Sequence, residues 1–136
     1  MKFNPEIRVF GDQKYRDKDC PKEGAEQITF VKRVRDKYPD SYGAVIVHIK
    51  NEGKRSFHGA RMDKAAGLTK GATDIFIPAK RPILIELKRR DHTLSRWQDG
   101  QQDYMLAAQK LGAWVCVALG ADAAMEALEA AINELE

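Results

Sequence analysis

Apolar positions fall into two long helical patterns and, between them, several short runs of strand length. Phe30, Val31, Val34 and Tyr38 recur at helical spacing and Pro39 ends them, which predicts a helix over residues 24–38. Residues 44–49 (AVIVHI) are rich in β-branched side chains and read as a strand. A polar, basic loop follows at residues 50–56. Ser56 is placed to cap a helix that Gly67 ends. Residues 73–77 and 83–88 read as two strands joined by Pro78-Ala-Lys-Arg-Pro82, a hairpin signal. After a polar connection over residues 89–98, Asp99 and Gln102 form a candidate capping pair for a helix to residue 111. Residues 113–119 are continuously apolar, as in a strand buried on both faces. Asp122 is a candidate cap for a last helix whose stripe is Met125, Leu128, Ile132 and Leu135. The predicted order is α-β-α-β-β-α-β-α, an α/β fold. Residues 1–23 read as a leading arm with room for a strand at residues 7–10, and residues 24–136 as the single domain.

Length and composition narrow the function. The chain has 136 residues, 43% hydrophobic and 32% charged, which suits one globular domain. No apolar run approaches the ~18 residues of a membrane span. The opening MKFNPEIRVF lacks a signal peptide's apolar stretch, so the expected setting is cytoplasmic. Cys20 and Cys116 are too few for a disulfide framework or a four-cysteine zinc site. Net charge is only +3, yet residues 1–92 carry 21 Lys+Arg against 13 Asp+Glu, while residues 93–136 carry 2 against 7. That asymmetry predicts a basic face and a polyanionic partner.

The hairpin carries the sharpest geometric expectation. With the turn centred on Lys80, Phe76 faces Leu84 and Asp74 faces Glu86. Directly opposite residues have Cβ atoms about 4.5–5.5 Å apart. Side chains alternate along a strand, so Lys88 shares the face of Glu86. Two opposed carboxylates repel, and a divalent cation reverses that penalty. Hard oxygen donors suit Mg²⁺, which uses one or two protein carboxylates and keeps several waters. Two carboxylates, a lysine and a basic surround fit phosphodiester hydrolysis. The plain alternative is a solvated salt-bridge cluster at a strand end.

A wider pattern surrounds the triple. Thr73-Asp74 followed by Ile85-Glu86-Leu87-Lys88 resembles the D…(D/E)xK core of the PD-(D/E)xK nuclease superfamily. The segment His48-Ile-Lys-Asn-Glu-Gly-Lys-Arg-Ser56, then Gly67 and Gly71 before Asp74, a glutamine-bearing helix, and Gly112 before an apolar strand, resembles more specifically a small stand-alone VRR-NUC domain of the phage type. The likeness covers residues 24–120.

This resemblance implies a restriction-endonuclease-like core with a central mixed β-sheet flanked by helices. It implies a Mg²⁺- or Mn²⁺-dependent endodeoxyribonuclease acting as a homodimer on branched DNA, such as Holliday junctions. It implies that Asp74, Glu86, the Leu87 backbone carbonyl and Glu26 serve the metal, and that Lys88 is the catalytic lysine. Gln101, chosen over Gln98 and Gln102, would hydrogen-bond near that lysine or the scissile phosphate. Thr73 departs from the family's usual proline.

Other residues carry weaker signals. Asn51, Lys54, Arg55, Arg61, Lys64 and Lys70 precede Asp74 and, as a group, are expected to contact DNA phosphates. Asn51 has turn and capping roles as alternatives. Glu26, in a first helical turn, also has a structural reading through the helix dipole. His48, His58 and His92 lack metal-ligand spacing, and His48 is expected at the edge of the core. Trp97, Tyr104 and Trp114 read as packing residues, with stacking on a base or a subunit contact as the alternatives for Trp97, which lies in a polar loop. A non-catalytic nucleic-acid-binding protein on a nuclease-like scaffold is the alternative function. A sequence-specific restriction-type enzyme is disfavoured because the chain leaves little room for a base-reading module.

Overall fold

The computed structural model describes residues 1–49 and 56–135. Five strands form one mixed sheet in the order β1-β5-β4-β3-β2. These are β1 (Arg8–Phe10), β2 (Val47–His48), β3 (Ile75–Ile77), β4 (Ile83–Lys88) and β5 (Trp114–Leu119). β1 and β4 both run parallel to β5, while β3 is antiparallel to β4 and β2. Every residue of the central β4 and β5 is buried, as their unbroken apolar runs require. Fully burying each side chain such as Ile83, Ile85 or Leu87 contributes roughly 1.5–3 kcal/mol.

Helices cover both faces. α1 (Glu23–Lys37) and α5 (Ala121–Leu135) bury Phe30, Val34, Leu128 and Ile132 against Ile75, Ile85 and Cys116. On the other face α4 (Gln101–Lys110) buries Met105 with Leu84, Val115 and Val117. α3 (Phe57–Ala65) is capped as expected, the Ser56 hydroxyl accepting from the Gly59 N–H at 3.0 Å, but buries none of its residues. Among the described residues no helix is long and apolar enough to cross a membrane.

Three local expectations need correction, and one is met. Residues 44–49 are not one strand: a short helix α2 (Tyr42–Val45) turns first, and only Val47 and His48 pair with β3. Gly43 sits so close beneath the end of α1 that a Cβ there would lie 2.6 Å from the Tyr38 carbonyl oxygen, which forces the chain to turn before it extends. The strand expected at residues 7–10 is the one that is met: Ile7 is buried and β1 adds a parallel edge to β5. Asp99 does not cap α4. Gly100, at φ +87, takes that position, and Asp99 pairs with Lys70 at 2.7 Å. Asp122 likewise lies inside α5, paired with Arg33 and Arg90.

Candidate active site

The hairpin register is the one that the sequence predicts: Ile75 faces Ile85, Phe76 faces Leu84 and Ile77 faces Ile83. One step further, Asp74 comes opposite Glu86, and its backbone N–H donates to Glu86 Oε1 at 3.3 Å. The Leu87 N–H in turn donates to Asp74 Oδ2 at 3.2 Å. A strand residue's N–H and C=O point to the same side, so the Leu87 carbonyl faces the Asp74 side as well. Lys88 shares the face of Glu86 and places Nζ 3.5 Å from Glu86 Oε2. Glu86 and Lys88 are 1% and 2% exposed, whereas Asp74 is half-buried.

Burying these charges is costly, and the surroundings show how the cost is met. Loss of water pushes the Glu86 carboxyl well above the usual carboxylate range, and the negative charge of Asp74 pushes it further; Lys88 opposes both. Gln101 spans the pair. Its Nε2 donates to Glu86 Oε2 at 3.0 Å, and its Oε1 accepts from Lys88 Nζ at 3.0 Å and from the Gln98 N–H at 2.9 Å. The Lys88 ammonium also donates to the Arg96 carbonyl at 3.0 Å. Lysine has three donors, so these contacts and the carboxylates occupy its full capacity.

Gln101 reaches this point because two glycines pack back to back. Gly71 has φ +82, and a Cβ on it would lie 2.4 Å from the Gly100 carbonyl carbon and oxygen and 2.7 Å from the Gln101 nitrogen. Only a bare backbone lets the segment before Asp74 close on the start of α4. Of the three candidate glutamines, Gln101 is buried in the cluster, while Gln98 is exposed and Gln102 half-buried.

The first helix supplies a different carboxylate from the one expected. Glu26 is buried, but its Oε2 accepts the Ala121 N–H at the start of α5, so it caps that helix. Glu23, one turn earlier, lies 3.7 Å from Lys88 Nζ. Burial raises the Glu23 carboxyl above its ordinary value, Lys88 offsets this, and Asp74 adds to it. The sequence reading missed Glu23. The available signal was a pair of carboxylates three residues apart on one helix, and periodicity cannot say which faces the strand end.

The basic group is only partly placed. Arg61 and Lys64 are exposed on α3, and Lys70 is exposed but paired with Asp99. Asn51, Lys54 and Arg55 lie outside the described residues. His48 is exposed rather than at the edge of the core, because β2 is the last strand of the sheet; its Nδ1 lies 3.1 Å from the Asp74 carbonyl oxygen. A small cleft beside Asp74 is lined by His48, Gly71, Gln98 and Gln101.

Among the described residues no three His, Cys, Asp or Glu side chains converge as a metal-binding group. Asp74 and Glu86 are a two-carboxylate set, beside a strand whose carbonyl faces the same side. That set fits a hard divalent cation that keeps much of its water, and it does not fit zinc.

No family model matches the chain, and no curated protein matches it in sequence. In three dimensions it resembles a solved structure described as a VRR_NUC domain protein, with a TM-score of 0.66 and 19% identity over 80% of this chain and 86% of the other. At that identity the likeness establishes the shared fold.

Proposed function

We propose that this chain is a divalent-metal-dependent endonuclease that hydrolyses phosphodiesters in branched DNA. One observation carries the reading: Asp74, Glu86 and Lys88 converge at the C-terminal end of β4, with Lys88 Nζ 3.5 Å from Glu86 Oε2 and the Asp74 N–H 3.3 Å from Glu86 Oε1. A like-charge pair of carboxylates, one of them fully buried, is expensive, and strongly perturbed carboxylates of this kind cluster at functional sites. The shared fold with a VRR_NUC domain protein supports the same reading.

Asp74, Glu86 and the Leu87 carbonyl would hold Mg²⁺ or Mn²⁺. When bound, such a cation lowers the pKa of a ligated water and offsets charge on the phosphate oxygens. Lys88 keeps a cation at the site, where negative charge builds on the phosphate during in-line attack. Gln101 fixes the distance between Lys88 and Glu86 by bonding both. Glu23 completes the carboxylates around Lys88. Arg61 and Lys64 on α3, together with Lys70, Asn51, Lys54 and Arg55, would contact the DNA backbone. A symmetric homodimer would present two such sites and suit paired cuts in a four-way junction such as a Holliday junction.

The test is cleavage by the purified protein with Mg²⁺, Mn²⁺ or EDTA on a four-way junction, a flap, a linear duplex and a single strand, with Lys88→Ala alongside. Metal-dependent cutting of branched substrates that the variant loses supports the proposal. Tight DNA binding without cutting under either metal overturns it in favour of a non-catalytic binding protein.

A further inference from the structure

Trp97 lies next to the buried lysine, with Lys88 Nζ 5.2 Å from the centre of its indole ring. This is within the ~6 Å range at which a ring face attracts an ammonium group. The preceding residue, Arg96, supplies the carbonyl that accepts from Nζ at 3.0 Å. The indole is also held by the N-terminal segment. Trp97 Nε1 donates to the Lys2 carbonyl at 2.7 Å, and the Phe3 ring stands edge-on to the indole at 6.1 Å. Phe3 is itself fixed against His92, ring centres 5.0 Å apart. A contiguous set of contacts thus runs from residues 2 and 3 to the lysine of the site.

We infer that Trp97 is a positioning residue for Lys88, and that Lys2 and Phe3 complete the site by seating the indole. The inference rests on the nuclease reading above. An ammonium at the end of four rotatable bonds gives up considerable side-chain entropy to stay in one place. Two hydrogen bonds and the Glu86 and Glu23 carboxylates restrain its direction, and the indole ring adds a further contact from Trp97. Trp97 touches no reacting atom in this arrangement; it acts through Lys88.

The experiment compares wild type, Trp97→Phe, Trp97→Ala and Phe3→Ala, each checked for folding by circular dichroism. The first readout is kcat and KM for metal-dependent junction cleavage. The second, independent of activity, is acylation of Lys88 by acetic anhydride, followed by peptide mass spectrometry. Trp97→Ala is expected to lower kcat about tenfold with KM unchanged, and Trp97→Phe, which keeps a ring face, to recover most of the loss. Lys88 labelling is expected to rise in Trp97→Ala and stay low in Trp97→Phe. If Trp97→Ala does not fold, Phe3→Ala, which loosens the indole without removing it, is expected to show the same direction of change in both readouts. Wild-type kcat in a folded Trp97→Ala, or unchanged Lys88 labelling there, overturns the inference. Wild-type protein that cuts none of the substrates overturns the nuclease reading instead, and the labelling comparison still upholds or overturns the seating of Lys88 by Trp97.

Discussion

The Asp74 backbone N–H donates to Glu86 Oε1 at 3.3 Å, so the main chain of one acidic residue holds the side chain of the other. The two carboxylates are therefore kept together by the hairpin itself. Their mutual repulsion, added to the burial of Glu86, is a standing cost in the metal-free protein.

That cost has a pH signature. The native Glu86 carboxyl titrates well above the ordinary value of about 4.3 that it has in the unfolded chain. Between those two values the native state binds more protons than the unfolded state. Stability therefore falls as pH rises through that window and levels off above it. Glu86→Gln removes the titration, so its thermal midpoint is expected to decline less over the same range. At neutral pH the variant should equal or exceed wild type by about 1 kcal/mol, measured by thermal melts in metal-free buffer.

Divalent cation should reverse the penalty. Mg²⁺ or Mn²⁺ is expected to raise the melting temperature of wild type, by about 2.7 kcal/mol in stability at 100 times the dissociation constant. Asp74→Asn and Glu86→Gln should show little of this gain. Both variants and Lys88→Ala should lose cleavage activity by about a hundredfold or more.

Glu23 and Glu26 should separate cleanly. Glu26 caps α5 at Ala121 and is buried, so Glu26→Ala should cost about 2 kcal/mol in a denaturant melt. Glu23 faces Lys88, so Glu23→Gln should change thermal stability little while lowering kcat by roughly tenfold. The reverse pattern in the two variants would exchange their roles.

Gly71→Ala should be among the most damaging single-methyl changes in the protein. The new Cβ would meet the Gly100 carbonyl at 2.4 Å, at a φ of +82 that side chains rarely adopt. A loss of more than about 2 kcal/mol is expected, with falling activity as Gln101 moves away from Glu86.

DNA affinity should depend steeply on salt. Arg61 and Lys64 are exposed on a helix that buries none of its own residues. Replacing both by alanine should flatten the plot of log affinity against log salt by about 1.8, read by fluorescence anisotropy on a junction. An unchanged slope would remove α3 from the DNA-contacting surface.

Much of this protein was legible in its residue pattern because strands and hairpins obey local rules. Two short apolar runs joined through Lys80 set a register, and the period-2 alternation of side chains then put Asp74, Glu86 and Lys88 on one face. The helices around Phe30 and Leu128 were visible in the same way, from spacing, while the helix of Met105 was placed by a capping pair whose Asp99 does not cap it. Tertiary structure decided what those rules leave open. Glu23 and Glu26 are both acidic residues of the first turn of α1, and only the docking of α5 made one a cap and left the other to Lys88. Residues 44–49 had strand composition, yet the close approach of Gly43 to Tyr38 turned the first two of them into a helix. Trp97 and Phe3 are far apart in sequence and meet only because β1 brings the arm back to β5, beside the strand that carries Lys88. Sequence patterns specify contacts between near neighbours, whereas a buried charge takes its partners from whatever elements the sheet brings within a few ångströms.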